Sequence, residues 1–247
     1  MPSEWTKASL INHIALHRRY RSYLEICSAT TGQRYGEIDR SILTNCHRLM
    51  YRMLEGHSDG MTIDFPADGL DSSECIREIF LRRLRFDIIL VDPWHEYGTS
   101  MRDLCDALSL LKPRGTIVVH DCLPPSEDVA SPTYRTGDWS GVTYKAYLDF
   151  VTARPAIDYQ TVDIDFGCGV IRTPALLAGL RERMHASDER KALNAQWNAL
   201  GDNFSETFRF MQEHKLKLCK LRSIEDFIRD EEAVLSPIEP QLHHRRG

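Results

Sequence analysis

The chain lacks a CxxC pair, an HxH motif, an internal repeat and any apolar run long enough to cross a membrane. Its seven cysteines, Cys27, Cys46, Cys75, Cys105, Cys122, Cys168 and Cys219, are scattered and odd in number. That spacing argues against a disulfide framework or a zinc knuckle and for a reducing compartment. The first residues, MPSEWTKASL, do not contain the apolar core of a signal peptide. A cytoplasmic protein without a membrane segment is therefore expected. Excess positive charge is also missing: 31 basic residues face 36 acidic ones, a formal net charge of -5, so nucleic acid is not an expected partner.

What the chain does contain is ordinary for a globular protein, with 42% hydrophobic and 27% charged residues in 247. That length buries a full α/β core. The expected division is an α/β domain over 1–174 and a helical extension over 175–240, whose amphipathic pattern suggests a homodimer contact.

Short apolar runs supply the expected strands. SYLEIC (22–27) reads as a strand entering the loop SATTG, and HRLMYRM from His47 reads as a second strand, with a helix as the alternative. A helix is expected between them, from Tyr35 to Leu43. Another is expected from Ser72 to Leu84, with Ile76, Ile79, Phe80 and Leu84 at helical spacing. FDIILV (86–91) has the continuous apolar character of a strand covered on both faces, and TIVVH (116–120) repeats it. Between them a helix over 100–111 is closed by KPRG, which completes a right-handed crossover unit. A long loop, CLPPSEDVASPTYRTGDWSG, has the length and composition of a lid. A helix over 142–151 follows, then YQTVDIDF and GCGVIRT as an antiparallel hairpin at one sheet edge. The predicted fold class is α/β, a doubly wound, mostly parallel sheet with an antiparallel edge hairpin and a C-terminal helical extension.

In such sheets ligands sit outside the carboxyl ends of the strands. Asp92 and Asp121 terminate successive strands there, and on adjacent strands they would meet in one cleft. Convergent carboxylates can hold a divalent cation, orient a ribose or take a proton, although aspartate also caps helices. His95 follows Asp92 by three residues and reads either as a base near neutral pH or as a surface residue at a helix start. His120 reads as a partly buried structural residue. Tyr134, Trp139 and Tyr144 offer either an aromatic wall or core packing.

FDIILVDPWHEY and LSLLKPRGTIVVHDCLPP together resemble the region of the fourth and fifth strands in class I S-adenosylmethionine-dependent methyltransferases. GDWSGVTYKAYLDF and TVDIDFGCGVI are similar to a subgroup found among bacterial carbohydrate and natural-product O-methyltransferases. The resemblance runs from about Tyr23 to Ile171. It implies that YLEICSATTG holds the cofactor, S-adenosylmethionine, through Glu25, Cys27, Ser28 and Gly32, with Asp92 beside it. Cys27 and Ser28 stand where the family has glycine, and Arg52 lies near the position of an acid that holds the ribose. The metal-dependent branch, which includes the catechol and macrocin O-methyltransferases, further implies Mg2+ on Asp92 and Asp121, with His95 as the base. Cys122 stands where that branch often has an acid or amide. The implied activity is O-methyl transfer to a small-molecule acceptor with Asp92, His95 and Asp121 as catalytic residues. The altered first motif leaves a catalytically silent binding or scaffold protein as the alternative, and a metal-dependent hydrolase or hydroxylase is a third reading, ranked last.

Overall fold

The computed structural model describes residues 5–31, 34–52, 60, 62–173 and 188–233. Its centre is one eight-stranded sheet of order β3-β2-β1-β4-β5-β7-β6-β8. The strands are β1 (Ser22–Ser28), β2 (Asn45–Tyr51), β3 (Phe65–Pro66), β4 (Phe86–Asp92), β5 (Leu111–Val119), β6 (Asp158–Val162), β7 (Cys168–Arg172) and β8 (Leu221–Arg222). The first five run parallel, β7 is antiparallel to both β5 and β6, and β8 runs parallel to β6.

Alternation of side chains along the central strands explains why the sheet is covered twice. In β4, Ile89 and Val91 enter one apolar cluster and Ile88 and Leu90 the other; in β5, Ile117 and Val119 oppose Val118. The first face is covered by α2 (Ser73–Leu81), α3 (Tyr97–Leu110), α4 (Thr143–Thr152) and the C-terminal α5 (Asp188–Ala199) and α6 (Phe204–Leu218), which contribute Trp197, Met211 and Leu218. The second is covered by α1 (Lys7–Arg18), through Leu10, Ile11, Ile14 and Ala15, and by Phe227 of α7 (Ile224–Ala233). No helix among the described residues is long and apolar enough to cross a membrane.

Four local expectations change. The helix expected from Tyr35 to Leu43 is a single 3-10 turn at Tyr35–Glu37. Side chains take over its backbone groups: Asn12 donates to Glu37 O and accepts from Asp39 N, while the Asp39 carboxylate accepts from Ser41 N. Such bonds compete with the helical ladder. KPRG does not close a helix but lies within β5, where the register slips between Phe86 and Ile88 and Arg114 takes φ 65°. The β6–β7 hairpin is not the last of the sheet, because β8 pairs beyond it; two residues are too few to carry a strand pattern. Finally α1 had no counterpart among the expected elements. Thr6 starts it, accepting from Ser9 N and completing a capping box.

One buried acid off the cleft makes stability depend on pH. Asp103 of α3 accepts from the Tyr51 hydroxyl at 2.7 Å, and that hydroxyl accepts from Trp94 N at 2.7 Å. Burial pushes the Asp103 carboxyl up to about 6, against the opposing pull of Arg102. Because the folded value lies above the unfolded one, this contribution to stability is complete below about pH 4 and is lost as pH rises through about 6. Asp103→Asn is expected to remove most of that fall in chemical-denaturation curves between pH 4 and 7. An unchanged slope would refute the assignment.

Candidate functional site

Adjacency of β4 and β5 brings the two strand-end acids together. The carboxylate oxygens of Asp92 and Asp121 and the imidazole of His95 lie within 4.8 Å of one another, and all three residues are buried. Asp121 adopts φ 62°, a left-handed conformation that aspartate tolerates better than most side chains. The backbone beyond it is held by Cys122 N and Leu123 N, which donate to Gly167 O and Phe166 O in the β6–β7 turn. Gly167, at φ 84°, cannot be replaced without collision, since a Cβ there would stand 2.3 Å from that of Leu123.

Around the acids is a compact set of charges. Lys7, from the first turn of α1, places Nζ 2.5 Å from Asp92 Oδ2, with both side chains buried. His120 Nδ1 lies 3.2 Å from Asp92 Oδ1 and 2.9 Å from Asp121 Oδ2, while its Nε2 lies 3.3 Å from Asp165 Oδ1. Ser140 donates to Asp121 Oδ1 at 2.7 Å, and Thr31 donates to the Asp92 carbonyl at 2.6 Å. Burial alone would raise the carboxyls, but Lys7 and His120 hold Asp92 below its ordinary value, and His120 and His95 hold Asp121 well below. Asp165 is held at about 2: burial opposes the shift, and the His120 contact outweighs it. Burial would lower His120, yet the surrounding carboxylates, Asp121 foremost, raise it well above an ordinary imidazole.

His95 is fixed by the long loop that follows β5. Its Nδ1 is 2.5 Å from the Trp139 carbonyl, which can only accept, so Nδ1 carries a proton. Nε2 is then directed at Asp121 Oδ2, 3.0 Å away, without hydrogen-bond geometry. Val142 N donates to His95 O, and Gly141, at φ 52°, lies so close that a Cβ would stand 2.2 Å from that oxygen. The same loop walls a cavity of about 280 Å³ over the acids with Tyr134 and Trp139, facing Trp94 and Phe166. Trp94 stacks on Tyr134 at 5.1 Å and meets Trp139 edge-on at 4.8 Å.

Asp92, His95 and Asp121 therefore meet in one cleft. Glu25 does not line it: fully enclosed within β1, it accepts from Tyr23 at 2.8 Å and faces Arg48 Nε at 3.5 Å. Cys27 and Ser28 are buried at the end of β1, with Cys27 Sγ directed at Leu49 O and Ser28 Oγ bonded within the turn to Thr30 and Thr31. Gly32 lies outside the described residues. Tyr144 packs in the core, its hydroxyl beside Phe204 O and Thr207, whereas Trp139 and Tyr134 wall the cleft. His120, read from sequence as structural, faces the cleft between three carboxylates. Its signal was the HD pair at a strand end; Lys7 and Asp165 had none, because only the fold brings them within reach of Asp92 and His120.

The donors fit a divalent cation. Asp92 Oδ1 and His95 Nε2 are buried and make no hydrogen bond among the described residues, and the Trp139 carbonyl orients the imidazole as metal sites commonly do. Magnesium prefers oxygen donors, so an imidazole in the set suits zinc or iron better. Cys122 is no part of it, since its thiol turns toward Val119 O in the core. For S-adenosylmethionine, Thr30, Thr31 and Asp92 border the cavity at the end of β1 and β4. At β2's end stand Tyr51 and Arg52, the guanidinium 3.6 Å over the Trp94 ring, in place of an acid.

No protein-family model matches the sequence, and no curated protein sequence matches it. Solved structures do. The O-methyltransferase TomG of Streptomyces achromogenes, involved in tomaymycin synthesis and solved with S-adenosylmethionine, is 12% identical with a TM-score of 0.50, covering 71% of this chain and 84% of its own. A Staphylococcus aureus protein described as a candidate caffeoyl-CoA O-methyltransferase is 15% identical with a TM-score of 0.51, covering 70% and 86%. Together with the strand order and the antiparallel β7, these similarities show that the chain has the doubly wound fold found in S-adenosylmethionine-dependent O-methyltransferases.

Proposed function

We propose that this protein transfers a methyl group from S-adenosylmethionine to a hydroxyl of a small polar acceptor, such as a sugar or natural product. The observation that carries the proposal is the convergence of Asp92, His95 and Asp121 beneath an aromatic wall at the carboxyl edge of β4 and β5. When bound, the cofactor supplies an electrophilic methyl on a sulfonium. Thr30, Thr31 and Asp92 would border it, and Trp94, Tyr134 and Trp139 would hold the acceptor and exclude water. Holding the acceptor oxygen in line at near contact contributes up to about 7–11 kcal/mol, so positioning carries most of the rate. His95, its ring oriented by the Trp139 carbonyl, takes the hydroxyl proton at Nε2 when the imidazole is neutral. A divalent cation on Asp92, His95 and Asp121 would instead lower that hydroxyl's pKa and use Nε2 as a ligand.

A second reading has specific support. Lys7 already neutralises Asp92, Glu25 is committed to Tyr23 and Arg48, and Arg52 replaces a ribose-binding acid. Those pairings suit a methyltransferase fold that has become a scaffold. Isothermal titration of the full chain with S-adenosylmethionine and S-adenosylhomocysteine separates the two. Saturable one-to-one binding, followed by S-adenosylhomocysteine release on screening hydroxyl acceptors, is the expected result. Absence of binding to either nucleoside, with and without divalent cation, would overturn the enzymatic reading.

A further inference from the structure

We infer that His13, His17 and Glu232 form a second site, outside the cleft, that binds a divalent transition-metal ion and clips α1 to α7. In HIALH the two histidines are four residues apart, which sets them on one face of α1. Their rings lie 4.3 Å apart, and one donor atom from each, with a carboxylate oxygen of Glu232, lie within 4.8 Å of one another. His13 Nε2 and His17 Nδ1 are buried atoms without a hydrogen bond among the described residues, although buried polar atoms are nearly always bonded.

The third donor is free to close on them. Glu232 is exposed, whereas its neighbour Glu231 is engaged by Arg18 at 2.6 and 3.0 Å and by Arg172 at 2.5 Å. That ion-pair cluster already fastens α7 to α1 and β7, so the Glu232 side chain has only to turn. Tetrahedral donors at ordinary zinc bond lengths stand about 3.4 Å apart, which asks for a contraction within the reach of a rotamer change. Two imidazoles and one carboxylate select zinc, nickel or copper over magnesium or calcium, and leave a fourth position for water.

The helix does not supply the base of a zinc protease. The residue after His13 is Ile14, fully buried in the core, where the zinc-protease pattern carries a glutamate. The site is therefore one of binding. Its consequence follows from α1 itself, because the helix that carries both histidines also delivers Lys7 to Asp92, about 9 Å further along its axis from His13. An ion at one place holds the helix that neutralises the other.

The test is calorimetric titration of the full chain with Zn2+, in a background carrying His243→Ala and His244→Ala so that the terminal histidines do not contribute, with thermal unfolding read in parallel. His13→Asn and His17→Asn are each expected to weaken one class of site at least tenfold and to reduce the zinc-induced rise in Tm. Glu232→Gln, on an exposed side chain that the fold does not use, is expected to weaken the same class without changing the metal-free Tm. Asp121→Asn should leave this class intact, which separates it from the cleft. Zinc affinity unchanged in both His17→Asn and Glu232→Gln would overturn the inference, as would loss of the same class in Asp121→Asn.

Discussion

Replacing Asp92 with Asn is expected to lower the thermal midpoint by about 6–20 °C, with loss of ligand binding in the cleft. The reason is electrostatic. The Lys7 ammonium sits 2.5 Å from Asp92 Oδ2 with 8% of its side chain exposed, so removing the carboxylate leaves a buried charge without its partner. Breaking a buried pair from one side costs about 3–5 kcal/mol. In a chain of this size each kcal/mol moves the midpoint by about 2–4 °C. Lys7→Met in the Asp92→Asn background should recover most of the loss, because the cycle then removes both charges together. If the double variant is no more stable than Asp92→Asn alone, the pair is not what holds α1 to the end of β4.

His95→Ala is expected to reduce kcat by about 10²–10⁴-fold while leaving the Kd for S-adenosylmethionine within about threefold, the range general-base removal produces. Asp121→Ala is expected to lose as much turnover and, in addition, any dependence on divalent cation, since Asp121 contacts His95, His120 and Ser140 at once. The measurement is S-adenosylhomocysteine release against an acceptor identified in the screen, with cofactor binding followed separately by calorimetry. Turnover unchanged in both variants would remove these residues from the reaction. A fall confined to KM in His95→Ala would instead assign the imidazole to acceptor binding.

Strands with continuous apolar character were legible because a doubly covered sheet demands them: FDIILV and TIVVH read directly as β4 and β5, and their terminal acids as the edge of a cleft. His95 was legible for the same reason, being three residues beyond a strand end. The segment from Tyr35 to Leu43 was misread because its backbone is bonded by Asn12, a residue of a helix far away in sequence. For His120 the strand pattern predicts the burial that the fold shows, but not the three carboxylates that converge on it. Glu25 was given a ligand by resemblance, whereas the neighbouring strand supplies Arg48 opposite it.

Local composition and period thus determined the order of the central elements and the two acids at their ends, because burial on both faces and chain termination at a strand edge are properties of a few consecutive residues. Tertiary structure alone decided the charge state of the cleft. Lys7 comes 85 residues before Asp92 and Asp165 lies 45 residues after His120, and Coulomb interactions depend on distance in space, which sequence separation does not encode.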